Sequence, residues 1–399
     1  MESLFNKQER LLAQTSTRIV RSIIDTIHWG NRLIAIRGSR GVGKTTLMLQ
    51  YIKKNYKAGS REVLYCTLDS IYFSSHSLIG LIEKFYMQGG KHLFLDEVHK
   101  YPSWSREIKE AYELYPMMRI VFSGSSLLKI LNADADLSRR CIPYTMYGLS
   151  FREFLMFYKN IDLPKFTLQE VLSNAGNICH EVNEKCRPVQ MFKEYLQEGY
   201  YPFFAGNRED YYIALENVVN LILEQEMPLL CGVDPAYVRK LKALLGFLST
   251  SIPYQVDITK LSGILGLTRN TVITYLQSLD RAELIKLIYS DLSSVKKMQK
   301  PDKIYIQNTN LLYAIASAPI SVGTVRETYV VSQLYVNHTV EYGKSQGDFV
   351  VDHKYTFEVG GSDKTFKQIA DLPDSYILAD NMEFSSGNKL PIWLVGMTY

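Results

Sequence analysis

Eight residues, Gly38-Ser39-Arg40-Gly41-Val42-Gly43-Lys44-Thr45, restrict this chain more than any other stretch. They satisfy GxxxxGK[ST] between an apolar run, Arg32 to Arg37, and an amphipathic helical pattern, Thr45 to Tyr56. Glycines in such a turn let successive backbone N–H groups point inward, and the following helix adds the positive end of its dipole. Gly38, Ser39, Arg40, Gly41, Val42, Gly43, Lys44, Thr45 and Thr46 are thereby predicted to cradle phosphate, and the preferred nucleotide is ATP. Lys44 would reach the β- and γ-phosphates, and the Thr45 hydroxyl would bind magnesium.

The surroundings repeat the same rhythm. Short apolar runs at Glu62 to Thr67, Lys91 to Leu95 and Arg119 to Ser123 alternate with helical patterns at Leu78 to Met87 and Trp104 to Leu114. Strands apolar nearly throughout are covered on both faces, so this part is predicted to be an α/β parallel-sheet core. The run His92 to Leu95 ends in Asp96-Glu97. Hydrolysis needs one acidic group on magnesium and a second that orients water, roles expected for Asp96 and Glu97 in turn. The glutamate, and the lack of a guanine-reading NKxD motif, favour ATP over GTP. Ser123, at the tip of the next apolar run, is a candidate for sensing the γ-phosphate or positioning water, while Ser125 and Ser126 read equally well as caps of a helix from Leu127 to Leu131. Asp69 is either a water-mediated metal ligand or a helix cap. Arg139 and Arg140 are either surface charges or the source of a guanidinium for the γ-phosphate, in the same chain or a neighbour.

Bulk properties narrow the remainder. At 399 residues more than one core is expected, and an excess of 45 basic over 41 acidic residues does not by itself indicate a nucleic-acid binder. Five scattered cysteines without a CxxC pair argue against a disulfide framework and a structural zinc site. No apolar run approaches the ~18 residues of a membrane span, and the polar start, Met1 to Thr17, is unlike a signal peptide. A cytoplasmic protein that does not enter membranes is expected.

Taken together, GSRGVGKTT at 38–46, FLDEVHKYPSWSREIKEAY at 94–112, VFSGSSLLKI at 121–130, LSRR at 137–140 and GLSFREFL at 148–155 resemble a bacterial and archaeal AAA-type ATPase family. That family joins an AAA core to a C-terminal domain of uncharacterised function, the DUF4143 type. It usually shows Gly-Arg where this chain has Arg139-Arg140, so the resemblance gives Arg140 the conventional arginine role. It also implies a winged helix and a region similar to restriction-endonuclease-like folds. The expected layout is an ATPase core at 1–157, a helical lid or connector at 158–235, a winged helix at 236–310 and the endonuclease-like part at 311–399.

The residues support the winged helix independently: helical stretches Thr259 to Gly266 and Thr268 to Asp280 flank a turn, and Leu284 to Tyr289 can begin a wing. Arg269, Asn270, Thr271 and Thr274 start the second helix, and Lys296, Lys297, Lys300 and Lys303 follow in the wing, so the module serves either DNA binding or packing. In the last part a nuclease of the implied fold would need an acidic residue, an Asp and a Glu-x-Lys. Glu327, Asp348 and Glu358 match the first three, but Gly360 stands at the lysine position, where only Lys354 or Lys364 could substitute by migrating. This reads as a non-cleaving domain. The leading expectation is therefore an ATP-hydrolysing switch or remodeller, with an ATP-gated nuclease and a slow-turnover binding module as alternatives. DNA, a protein partner or a second copy of the chain are the expected partners beside ATP.

Overall fold

The computed structural model describes residues 1–125, 137, 139–203, 207–251, 254–290 and 300–399. The chain divides into two compact units, Met1–Tyr147 and Gly148–Tyr399.

The first unit is an α/β layer structure. Its strands β1 (Leu33–Arg37), β2 (Val63–Thr67), β3 (His92–Asp96), β4 (Arg119–Gly124) and β5 (Ile142–Thr145) form one sheet in the order β2-β3-β4-β1-β5, every pair parallel. Parallel neighbours need crossovers. These are supplied by α2 (Lys44–Asn55), α3 (Leu78–Met87) and α4 (Trp104–Leu114). Alternation along the strands sends Leu33, Leu64, Leu93, Leu95 and Phe122 into one core with Phe85 of α3 and Ile108 of α4. The opposite face carries His92 and Phe94 beneath Tyr51, which stacks on Trp29 at a centroid distance of 3.9 Å.

Two features here were not anticipated. The polar start forms helix α1 (Glu2–Gln14), whose Leu4 and Phe5 enter the core. The fifth strand, β5, is an edge strand of sequence Ile-Pro-Tyr-Thr with Ile142 and Pro143 exposed, so it lacks the apolar run by which the other four strands were recognised. The expected helix from Leu127 to Leu131 and its candidate cap Ser126 lie outside the described residues.

The expected core boundary at 157 falls inside the second unit. Helix α5 (Phe151–Lys159) begins there with a capping box between Ser150 and Glu153, and Phe151 packs against Phe192, Tyr195 and Trp393. Helices α6 (Leu168–Ser173), α7 (Ala175–Lys185), α8 (Pro188–Glu198) and α9 (Arg208–Leu221) follow. Then come α10 (Val238–Ser251), β6 (Tyr254–Gln255), α11 (Ile258–Leu265), α12 (Arg269–Arg281), β7 (Ile285–Ile288) and β8 (Lys303–Ile306), with an antiparallel sheet ordered β6-β8-β7. Asp257 and Thr268 cap α11 and α12, and left-handed Gly266 (φ 58°) turns the chain between them. Wing residues Lys296 and Lys297 lie outside the described residues.

After α13 (Thr309–Ile315) and α14 (Val322–Leu334), a second sheet runs β13-β12-β11-β10-β9, from β9 (Val340–Tyr342), β10 (Phe349–Val351), β11 (Tyr355–Gly360), β12 (Ser375–Ala379) and β13 (Lys389–Pro391). Its first three strands are antiparallel and its last three parallel. The apolar run Ile392 to Val395, which taken alone reads as a strand, belongs to a buried 3₁₀ segment, Ile392–Met397. Short apolar runs do not distinguish a buried helical turn from a buried strand. Among the described residues no helix is long and apolar enough to cross a membrane.

Candidate nucleotide site

The sheet order places three strand ends side by side. Ile36 of β1 lies opposite Ser123 of β4, and Leu95 of β3 lies opposite Phe122, so the loop after Arg37, the hydroxyl of Ser123 and the carboxylate of Asp96 share the carboxyl end of the sheet. Gly43 adopts φ 99° as the residue before α2, a conformation that side chains resist. Gly38 lies so close to the carbonyl of Met146 that a Cβ would collide with it.

Lys44 is buried and its Nζ donates to the carbonyls of Gly38 and Ser39, at 2.7 and 3.0 Å. The Thr45 hydroxyl donates to Asp96 Oδ2 at 2.6 Å. Asp96 Oδ1 accepts from Ser123 Oγ and from the Glu97 N–H, the latter at 3.1 Å. The sequence therefore identified residues that the fold brings together: Lys44, Thr45, Asp96, Glu97 and Ser123. Glu97 itself is left-handed, at φ 52°, which is uncommon for a side-chain-bearing residue and turns the chain sharply out of β3. Its Oε2 lies 3.4 Å from His99 Nε2 and 3.9 Å from Arg40 Nη1. Burial pushes the Glu97 carboxyl above its usual range, opposed mainly by the charge of Lys44.

Arg140 is placed elsewhere. Its Nη2 lies 2.9 Å from Glu113 Oε1 at the end of α4, and it precedes Ile142, which pairs with Ile34. That is the amino end of the sheet, away from the loop that follows Arg37. Within one chain Arg140 and the P-loop do not meet. Asp69 caps no helix; it accepts from Thr67 Oγ1 at 2.5 Å, and Ser70 caps the turn that follows.

Three contributors escaped the sequence reading. Tyr65, in the middle of β2, donates from its hydroxyl to Asp96 Oδ2 at 2.7 Å. Burial and the negative charge of Asp96 raise its phenol far above the usual range, so it remains a donor. The available signal was a hydroxyl-bearing aromatic in an otherwise apolar strand. Arg21 is buried beneath the P-loop and donates to the carbonyls of Val42 and Tyr147, at 3.3 and 2.5 Å. His99 is buried beside Glu97, three residues beyond the strand end. A hydroxyl and a carboxylate that already converge, with an ammonium in the adjoining turn, are the donor set that a magnesium-bound triphosphate requires.

Comparison with known proteins agrees in part. A family model described as an AAA domain matches residues 30–155, and one described as a domain of unknown function, DUF8612, matches 189–320 in place of the expected DUF4143 type. The uncharacterized protein MJ1637 of Methanocaldococcus jannaschii is 26% identical over 366 residues, covering 84% of this chain and 77% of its own. Among solved structures, Orc1 of Aeropyrum pernix in complex with DNA is similar at 12% identity and TM-score 0.32, covering 80% of this chain and 92% of its own. DnaA of Aquifex aeolicus bound to AMPPCP is similar at 16% identity and TM-score 0.27, covering 69% and 86%.

Proposed function

The chain carries an AAA domain at residues 30–155, and from that premise we propose that it is a magnesium-dependent ATPase whose nucleotide cycle switches the state of its second unit. One observation carries the hydrolytic part: Asp96 is held from both oxygens, by Thr45 and Tyr65 on one and by Ser123 on the other, with Glu97 next to it. Thr45 and Asp96 would hold magnesium, which when bound neutralises phosphate charge. Lys44 binds the phosphates. Glu97 orients the attacking water and takes up its proton, a role suited to a carboxylate whose affinity for protons burial has raised. Ser123 fixes both Asp96 and the Glu97 backbone, so it sets the distance between metal and water sites.

The helix pair α11 and α12 with the strands β6 to β8 supports reading residues 236–310 as a winged helix that contacts DNA. Arg269, Asn270 and Thr274 are exposed at the start of α12, where groove contacts are made in such modules. Phosphate release from ATP by the purified chain, compared with Lys44→Ala and Glu97→Gln, tests the proposal. Turnover lost in both variants, with nucleotide still bound by Glu97→Gln, supports hydrolysis. Tight ATP binding by the parent chain without release would instead select a nucleotide-dependent binding module.

A further inference from the structure

The second unit holds a cavity of about 390 Å³ for which the chemistry of the first unit has no use. Two helix ends and a strand build it. Asp280 and Arg281 follow Gln277 by three and four residues, so the three share one face at the end of α12 and line the cavity together. Tyr335 and His338 enter from the chain just beyond α14, and Leu287 and Tyr289 from β7 and its end. The Tyr342 N–H of β9 donates to the Tyr289 carbonyl at 2.9 Å, which ties these segments into one wall. Small-molecule sites span roughly 300–1,000 Å³, so the volume suits a ligand of modest size.

Its polar groups are held in place but not satisfied. Asp280 Oδ1 accepts from the Leu287 N–H at 3.1 Å, which orients the carboxylate, while Oδ2 has no partner among the described residues. The Lys286 ammonium lies 4.4 Å from the centroid of the Tyr335 ring and steadies that ring. His338 Nδ1 lies 2.6 Å from Asp352 Oδ2, so Nε2 is the nitrogen left for a ligand. Among the described residues, the Arg281 guanidinium, the Gln277 amide and the hydroxyls of Tyr289 and Tyr335 likewise have no hydrogen-bond partner. Burial pushes both phenols up to about 12, so they remain donors at neutral pH. Burial also raises the Asp280 carboxyl, opposed mainly by the charge of Lys286, and a donor brought to it favours the carboxylate.

These groups favour one ligand chemistry. A carboxylate only accepts and a guanidinium only donates, and here they are neighbours on one helix end. Guanine is the nucleobase whose edges match that pair. Its N1–H and N2 amino group are adjacent donors that one carboxylate takes together, and its O6 and N7 are the acceptors that arginine takes in two bonds. Adenine presents an amino group where the guanidinium needs an acceptor. Tyrosine rings add stacking surface for a planar base. We propose that this cavity binds a guanine nucleotide, with Asp280 and Arg281 reading the base and Tyr289 and Tyr335 flanking it. Gln277 and His338 are then the groups left for ribose and phosphate. The chain so carries two kinds of nucleotide recognition, phosphates at the P-loop and a base at the end of α12, whose start presents exposed Arg269 and Asn270. The proposal does not rest on ATP hydrolysis by the first unit.

The test is titration calorimetry of the full chain with guanosine monophosphate and adenosine monophosphate, in the parent and in Lys44→Ala, which removes the ammonium of the P-loop. Expected is guanosine monophosphate binding of equal strength in both chains, at least about tenfold tighter than that of the adenosine compound. Asp280→Asn keeps an oxygen for the Leu287 N–H and replaces the other by an amide donor. It should weaken guanosine monophosphate by about tenfold or more and strengthen xanthosine monophosphate, whose C2 carbonyl accepts where guanine donates. A misfolded variant would not gain that ligand. Arg281→Ala should weaken guanosine monophosphate by about tenfold. Absence of guanosine monophosphate binding overturns the proposal, as does equal binding of the adenosine compound or loss of binding in Lys44→Ala. An unchanged base preference in Asp280→Asn does the same. Binding of a guanine-containing single strand without binding of the mononucleotide would assign the cavity to nucleic acid and also overturn it.

Discussion

The hydroxyl of Tyr65 and the hydroxyl of Thr45 end on the same oxygen of Asp96, at 2.7 and 2.6 Å, although one comes from the middle of β2 and the other from the first turn of α2. Asp96 is thus oriented before any metal arrives. Groups of this kind, which hold a ligand without touching the metal, typically change metal affinity or activity by 10–100-fold when removed. Tyr65→Phe is expected to weaken magnesium-dependent ATP binding by roughly tenfold. Binding of ATP in EDTA, measured by titration calorimetry, should stay unchanged; an equal loss in both conditions would refute the positioning role.

Glu97→Gln should abolish turnover by ~100-fold or more while ATP binding persists, since the amide cannot accept the proton of water. Because burial raises the Glu97 carboxyl, the charged form is disfavoured in the fold, and the parent chain loses stability as pH rises through that raised value. The variant should therefore melt higher than the parent at neutral pH. A lower melting temperature with turnover retained would contradict both assignments.

His92 predicts an acid limit to stability. It is buried, accepts or donates with Tyr56 Oη at 2.8 Å, and burial lowers its imidazole to about 3. The unfolded chain takes up a proton near the ordinary histidine value of ~6.5 while the folded chain does not. Stability present above that value should fall between it and about 3, by up to ~1.4 kcal/mol per pH unit. Thermal melts from pH 7 to 5 of the parent and His92→Gln should show the steeper decline in the parent.

Arg140 sits at the amino end of the sheet, so any contribution to hydrolysis must come from a neighbouring chain. Arg140→Ala should then keep ATP affinity and lose turnover by ~10³-fold. Mixing it with Lys44→Ala chains, which retain Arg140, should restore part of the activity. Full turnover by monomeric Arg140→Ala would end the trans role.

If the exposed start of α12 reads DNA, Arg269→Ala should weaken duplex binding by about tenfold. Fluorescence anisotropy at two salt concentrations separates this from loss of a phosphate contact, which would also lower the salt dependence. Unchanged binding would leave α12 as a packing helix.

What the sequence determined by itself was local and periodic. The P-loop, the strands β1 to β4 and the acidic end of β3 were legible because a phosphate turn needs glycines at set spacing and doubly covered strands need unbroken apolar runs. Tertiary structure alone decided matters that depend on distance. Tyr65 reaches Asp96 from another strand, Arg21 donates to the carbonyl of Val42 in the P-loop from a segment before the first strand, and Arg140 lies at the wrong end for its own nucleotide. Position 360 shows the reason most plainly. In one dimension glycine there is a missing lysine; in three, Lys364 comes back over it to Glu358, because an ammonium is specified by where its atoms arrive and not by the residue number that sends them.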